Sequence, residues 1–536
     1  MARFLRVAAL FAVLTVVMTW PQATSLATRA AGHHDVFFNM WRFGWVAHAI
    51  ANAPLDLLDG NIFHPEPRAL TFSDAMPVEA FIAAPLLWAA VPPVLVHNLL
   101  LLAGIVLSAA GIAMLATSLT GSRAAGITAG IIFAFAPYRF EHYMHMELQW
   151  TVWIPWAFWA LHRTFETGSR RYAGLLGAFL ALQFMSSIYY GVFLATLLGL
   201  AAALFLCATR NGDLKSRLSA LGIAAATAAV LTAPYVIPYA ATRQHVGPRS
   251  EEQAVTFSAR PSSYLVATDT NYLYGERSAP RGRPERRLFP GVLPLLLAVV
   301  GLLLRRPSVE AIVYLLVLVA AFEMSLGFYG YTFAFLYRNV PPFDALRAPA
   351  RLGVFVLFFL GILAAYGHAA LESAIAARAR WVLVVAISGL LLLEYWVAPL
   401  RLAPFPNDPP PLYAWLATQP RGVVTEFPLP TVSTLPGQEP RYAYMSTFHW
   451  MPMSNGYSGY YPPSYLTRLE ILRYVPDHPA LEALLRDRVR YVIIHTSLYP
   501  AHNAERVVTA IARNPLFVEL GRFDDGQGPA IVFTPR

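Results

Sequence analysis

VLVHNLLLLAGIVLSAAGIAMLATSL, residues 94–119, runs without a single Asp, Glu, Lys or Arg. As a helix it would rise about 39 Å, more than the roughly 30 Å hydrocarbon core of a bilayer. Runs of the same texture recur at 4–22, 124–137, 147–163, 172–187, 189–207, 217–240, 288–304, 308–326, 351–371 and 380–398. The pattern predicts a mostly α, polytopic membrane protein of about eleven spans. Run 78–91, flanked by Pro77 and Pro92 and interrupted by Pro85, is too short for a span and reads as a re-entrant or interfacial helix.

Composition agrees. Of 536 residues, 57% are hydrophobic and 13% charged, against about 25% charged in soluble domains. The net charge of +9 would suggest nucleic acid in a soluble protein. Here the basic residues lie largely in short loops, so membrane orientation explains them and no nucleic-acid partner is expected. The single cysteine, Cys207, excludes an internal disulfide. Arg3 to Trp20 has the texture of a signal peptide, but the spans that follow favour an uncleaved first helix.

With the N-terminus inside, the inner loops carry Arg3 and Arg6, Arg123, Arg163 with Arg170 and Arg171, Arg210 with Lys215 and Arg217, Arg305 with Arg306, and Arg378 with Arg380. Every inner loop is basic, as the positive-inside bias requires. The outer face then receives loops 23–93, 138–146, 241–287 and 327–350, and everything after 399. Loop 241–287 is arginine-rich, against the rule. Glu323 and Glu394 sit within apolar runs near their outer ends, where reaching water is the simplest account.

Apolar density drops after residue 400. The stretch Ala403-Pro404-Phe405-Pro406-Asn407-Asp408-Pro409-Pro410-Pro411 reads as a stiff linker. Beyond it, helices near 411–418, 479–487 and 500–513 and strands at 422–427, 489–494 and through Val518 and Val532 describe a small α/β domain. The expected organisation is a membrane domain, 1–400, with catalytic outer loops, and an extracytoplasmic domain, 401–536.

Two outer-loop clusters could carry chemistry. Asp35 opens a helical pattern (Phe37, Phe38, Trp41, Trp45, Ile50) that predicts an amphipathic helix lying in the interface. Asp35 is either its cap or a catalytic carboxylate, and the two roles are compatible. Glu141, His142, His145 and Glu147 crowd into seven residues. His142 and His145 can share a helical face, and imidazoles beside carboxylates suit a divalent metal; a polar turn is the plainer reading. Trp150, Trp153, Trp156 and Trp159 suggest an interfacial belt or a sugar-stacking surface.

The layout resembles the GT-C superfamily of polyprenyl-phosphate-sugar-dependent glycosyltransferases. Asn61-Ile62-Phe63-His64-Pro65, Phe133-Ala134-Phe135-Ala136-Pro137-Tyr138-Arg139, Phe257-Ser258-Ala259, Leu346-Arg347-Ala348-Pro349-Ala350-Arg351 and Asn455-Gly456-Tyr457-Ser458-Gly459 are similar to a YfhO-like and mannosyltransferase-like bacterial branch. The resemblance places the first-loop aspartate at Asp35 and the second-loop acids at Glu141 and Glu147; a tight Asp-x-Asp pair is absent. It implies inverting sugar transfer at the outer face of a bacterial inner membrane, with Asp35 as base or orienting group. Arg347 and Arg351, then Arg139, His34 and Tyr457, are the substrate-binding candidates, and snorkelling is the alternative for the first two. A divalent ion, held by His142 and His145, is the candidate cofactor. The donor would be a polyprenyl-phosphate-linked sugar, and the acceptor a glycan, lipid or protein. A transporter or flippase, or a non-catalytic accessory membrane protein for envelope glycans, remains the competing reading. The orientation is checked by a reporter fused after Arg536, expected to be active outside the cytoplasm; cytoplasmic activity would overturn it.

Overall fold

A computed structural model describes residues 2–208, 214–304 and 306–536; Arg210 and Arg305 of the inner-loop pattern lie outside them. The chain forms two compact units, one of residues 1–25, 99–237 and 247–401, the other of 26–98, 238–246 and 402–536. The second draws together the first long loop and the residues after the proline-rich linker.

Each of the eleven apolar runs folds as helix, several of them at less than full length. Among the described residues, four helices are long and apolar enough to cross a membrane: Pro93–Thr120, Ile188–Ala208, Leu214–Val246 and Pro349–Ala374. Val292–Leu303 has 12 residues, Arg123–Phe135 13, and Trp153–Thr167 and Arg380–Glu394 15 each. At 1.5 Å per residue these reach about 18–23 Å, short of a bilayer core. Run 147–163 breaks between Met146–Gln149 and Trp153–Thr167. Helix length thus supports four spans among the described residues, not the eleven expected from apolarity.

Helix Gly353–Ala374 runs buried through the first unit. Its crossing with Val292–Leu303 depends on two glycines. A Cβ on Gly367 would lie 1.8 Å from the Leu297 carbonyl oxygen, and one on Gly301 2.6 Å from the Gly367 nitrogen. Small residues let the two backbones touch. The tryptophans form no simple belt: Trp150 is buried and donates to the Leu100 carbonyl at 3.0 Å, and Trp153 donates to Ser186 Oγ at 3.3 Å.

The acids within apolar runs close helix ends. Glu394 is buried rather than wet; its carboxylate accepts the Val292 and Leu293 amides at 2.6 and 3.2 Å. Pro290-Gly291 delays the start of the helix within run 288–304, and Glu394 caps the helix where it begins at Val292. Glu323 does the same for Thr332–Asn339, accepting the Tyr331 and Thr332 amides at 2.5 and 3.1 Å.

In the second unit β1 (Arg29–Ala31) pairs antiparallel with β2 (Leu402–Pro404). A four-stranded sheet follows, of β3 (Val423–Phe427), β4 (Val489–His495), β5 (Phe517–Asp524) and β6 (Pro529–Pro535), in the order β3-β4-β6-β5. β3 and β4 are parallel and the other pairs antiparallel. A parallel pair needs a crossover, and residues 428–488 provide it with helices Glu439–Met445, Pro463–Leu472 and His478–Arg486. Phe427, Val492, Ile494 and Phe533 of the sheet pack with Leu481, Leu484, Val507 and Ile511 of the helices. Helix Pro77–Trp88, expected to be re-entrant, packs in this unit against His34–Asn52.

One charged cluster sits inside this sheet. His495 Nε2 is 2.6 Å from Glu426 Oε2, His495 Nδ1 meets Asp525 Oδ2, and the Tyr413 hydroxyl donates to Glu426 at 2.8 Å. Their side chains are no more than 2% exposed, so the set is structural and not a hydrolytic triad. Burial opposes a charge on His495, but Asp525 and Glu426 outweigh it and raise its pKa. Burial likewise opposes ionisation of Asp525, and His495 holds its carboxyl below the usual value. The histidine's contribution is complete below its unfolded pKa of about 6.5 and lost as pH rises through the raised folded one; the aspartate's is complete above about 4 and lost as pH falls. Thermal unfolding should show greatest stability from about pH 4 to 6.5. His495→Ala, which leaves two carboxylates facing each other, should flatten that dependence and cost about 3–5 kcal/mol.

Candidate active site

The Asp35 centre lies in the second unit. Helix His34–Asn52 begins there because His33 caps it: His33 Nδ1 accepts the Asp35 amide at 3.2 Å. Asp35 is thus not the cap. It occupies the first turn, where the helix dipole favours a carboxylate. The helix is buried on most of its circumference, by Val36, Phe38, Asn39, Trp41, Arg42, Trp45 and Val46 among others, so it is a core helix and not one floating on an interface.

The Tyr457 hydroxyl donates to Asp35 Oδ1 at 2.6 Å. Its ring meets the edges of His34 and Phe38, centroids 5.6 and 5.0 Å away and nearly perpendicular. His34 and Phe38 are one turn apart on the same face and grip the phenol between them. The Asp35 side chain stays 14% exposed, enough to meet a substrate. His33, His34 and Asp35 form the one group of three potential metal ligands among the described residues, their donor atoms within 4.8 Å of one another.

The second cluster lies in the first unit and is a closed loop. Arg139 donates to the Leu148 and Gln149 carbonyls at 2.8 and 2.9 Å. Gln149 Nε2 returns to the Arg139 and His142 carbonyls, both at 2.8 Å. Arg139 is therefore committed to the main chain rather than to a substrate. Glu141 faces Arg287 at 3.2 Å, with Asp269 3.6 Å from the same arginine. His142 and His145 bring their Nδ1 atoms within 3.3 Å, a hydrogen-bond distance, and no third ligand joins them among the described residues. Burial pushes His142 down to about 3, and its Nε2 has no partner. Glu147 is half-buried in the first turn of Met146–Gln149.

Arg351 is buried and pairs with Glu285, Nε to Oε1 2.6 Å, above the Tyr189 ring. It does not snorkel. Burial opposes the charge on Glu285, but Arg351 outweighs it and holds the carboxyl well below its usual range. Arg347 is half-buried, with its guanidinium over the Phe257 ring at 5.5 Å; among the described residues no carboxylate pairs with it. Sequence reasoning missed Glu285, Arg287 and Glu439; the density of arginine in 241–287 was the signal for the first two.

This architecture has known counterparts. The chain superposes on arabinofuranosyltransferase AftD from Mycobacteria with a TM-score of 0.63 at 15% identity, over 99% of its length and 40% of that chain. It matches oligosaccharyltransferase AglB from Archaeoglobus fulgidus, solved with an inhibitory peptide and a dolichol-phosphate, at 0.57 and 13% identity, over 92% and 69% of the two chains. The fold is that of the GT-C glycosyltransferases. ArnT from Cupriavidus metallidurans bound to undecaprenyl phosphate also matches, at 0.50 and 12% identity over 98% and 97%. The chain spans less than half the length of AftD. No protein-family model and no curated protein matches the sequence, and the structural likeness reaches the GT-C fold without singling out the YfhO-like branch.

Glu285 neutralises a buried arginine, so Glu285→Ala should destabilise the first unit by about 3–5 kcal/mol. Glu285→Ala with Arg351→Met should recover most of that loss in thermal unfolding, because the unpaired charge is gone.

Proposed function

We propose that the chain is an integral-membrane glycosyltransferase that moves a sugar from a polyprenyl-phosphate donor to an acceptor hydroxyl at the outer face of the membrane. The observation that carries the reading is the Asp35 carboxylate, set in the first turn of a buried helix and fixed by Tyr457 at 2.6 Å, in a chain of GT-C fold. Its other oxygen, Oδ2, lies 3.5 Å from His33 Nδ1, and a carboxylate so placed can take a proton from a substrate hydroxyl or orient it. The acceptor oxygen bonds to the anomeric carbon as the bond to phosphate breaks, the acceptor proton passes to Asp35, and polyprenyl phosphate departs with the bonding electrons.

A lipid phosphate needs a cation. Of the two arginines in 347–351, Arg347 is the better candidate ligand, since Arg351 is already engaged by Glu285. Two structures of the same fold hold a dolichol-phosphate and undecaprenyl phosphate, which supports a lipid-phosphate ligand here. His33, His34 and Asp35 offer two imidazoles and a carboxylate, a set suited to a divalent cation, which would supply charge neutralisation and leave Asp35 to orient the acceptor rather than take its proton; among the described residues the pair His142 and His145 has no third donor. Against transport, Glu323 and Glu394 are spent on helix ends rather than lining a path.

The test uses the full chain in liposomes, with undecaprenyl-phosphoryl glucose, mannose and arabinofuranose as donors and a cell-envelope extract as acceptor. Asp35→Asn keeps the helix start and the Tyr457 contact but cannot take a proton. It should bind undecaprenyl phosphate normally and release it from donor 10²–10⁴-fold more slowly, the range for a lost general base. Release at the parental rate would overturn the assignment. Arg347→Ala should weaken undecaprenyl phosphate binding ten- to a hundredfold, as losing a charge-assisted contact of about 1.5–3 kcal/mol requires; unchanged affinity would overturn the role given to Arg347.

A further inference from the structure

Glu439 is fully buried, its side chain lies on a short helix of the crossover, and among the described residues no cation pairs with it. A lone buried carboxyl is costly unless its oxygens are satisfied. Both are, and by one loop. Asn455 Nδ2 donates to Oε1 at 3.0 Å and the Gly456 amide to Oε2 at 2.5 Å. The next residue is Tyr457, whose hydroxyl holds Asp35.

The loop has two further restraints. Asn455 Oδ1 accepts the Glu426 amide at 2.7 Å and its Nδ2 reaches the Glu426 carbonyl at 3.0 Å, which ties the loop to β3. The Asn455 carbonyl accepts the Phe63 amide at 2.8 Å, and Gly456 lies so close to the Phe63 ring that a Cβ would fall 2.4 Å from it. Glu439 is the only one of these partners that reaches the Gly456 amide, directly before the tyrosine.

We infer that Glu439 is a positioning residue for sugar transfer, acting through Asn455 and Gly456 to set the Tyr457 hydroxyl on Asp35. The inference rests on the proposed role of Asp35. Its physical content is geometric: a hydrogen bond of 2.6 Å does not survive a shift of the loop by an ångström, and a misplacement of that size costs up to about a hundredfold in rate. Burial pushes the Glu439 carboxyl up to about 8, so near neutrality it largely carries a proton. Either protonation state leaves an oxygen for each amide donor. Glutamine does not, because its NH₂ cannot accept the Gly456 N–H or the Asn455 amide.

The experiment compares the parental chain, Glu439→Gln, Tyr457→Phe and the double variant in the liposome assay above, with amide hydrogen exchange followed at Gly456. In the parental chain and in Tyr457→Phe the Gly456 amide should be protected; in Glu439→Gln its exchange should rise at least tenfold. Glu439→Gln should lower kcat on the order of tenfold to a hundredfold and leave the KM for lipid donor unchanged. The double variant should transfer no more slowly than Tyr457→Phe, because both changes remove the same contact. A Gly456 amide that exchanges freely in the parental chain would overturn the inference without any variant. So would parental kcat in Glu439→Gln, or losses that multiply in the double variant. If Asp35→Asn transfers at the parental rate, the base assignment falls, and this inference with it; a slow Asp35→Asn beside a fast Glu439→Gln sinks the inference alone.

Discussion

Interior charge in this chain is admitted where it closes a loose end of backbone or another charge. Glu394 and Glu323 close helix N-termini, Arg139 closes a pair of carbonyls, and Glu439 closes two amide donors. Glu285 and Arg351 close each other. With 13% of its residues charged, the protein has few such groups, and each one withdrawn to a structural task narrows the choice of those left for chemistry. Asp35, held by a hydroxyl yet still partly exposed, and Arg347, stacked on a ring, have not been withdrawn in this way.

The apolar runs and most elements of the C-terminal sheet were legible because periodicity and hydropathy are local properties. Helix lengths were not. Pro290-Gly291 and Trp150-Thr151-Val152 shorten their runs through backbone geometry that hydropathy does not register, and the cap on Val292–Leu303 comes from a residue 102 positions later. The start of helix His34–Asn52 was read within a residue, but the capping atom belongs to His33.

The candidate site was legible by residue type and not by partner. Tyr457 and Asp35 were each singled out, yet their contact joins residues 422 apart. Four of the five short strings that suggested the superfamily prove to be paired with one another: residues 61–64 exchange main-chain hydrogen bonds with 453–455, and the Ala350 amide reaches the Phe257 carbonyl at 3.2 Å. Segments that look unremarkable one at a time are matched surfaces of the same packing. Glu439 stood in no suggestive pattern, since a carboxyl that serves two amides leaves no trace in spacing.

The closed loop at 139–149 carries its own consequence. All four of its fastenings end on main-chain carbonyls, at residues 139, 142, 148 and 149, and the only side chains that make them belong to Arg139 and Gln149. The residues in between contribute backbone alone to the closure. Glu141 reaches out to Arg287 and the Tyr143 hydroxyl donates to Gln22 instead, so these side chains moor the ring to its surroundings rather than hold it shut. Two side chains carry the closure, each with two fastenings, and the loss of either one opens half of the ring at once.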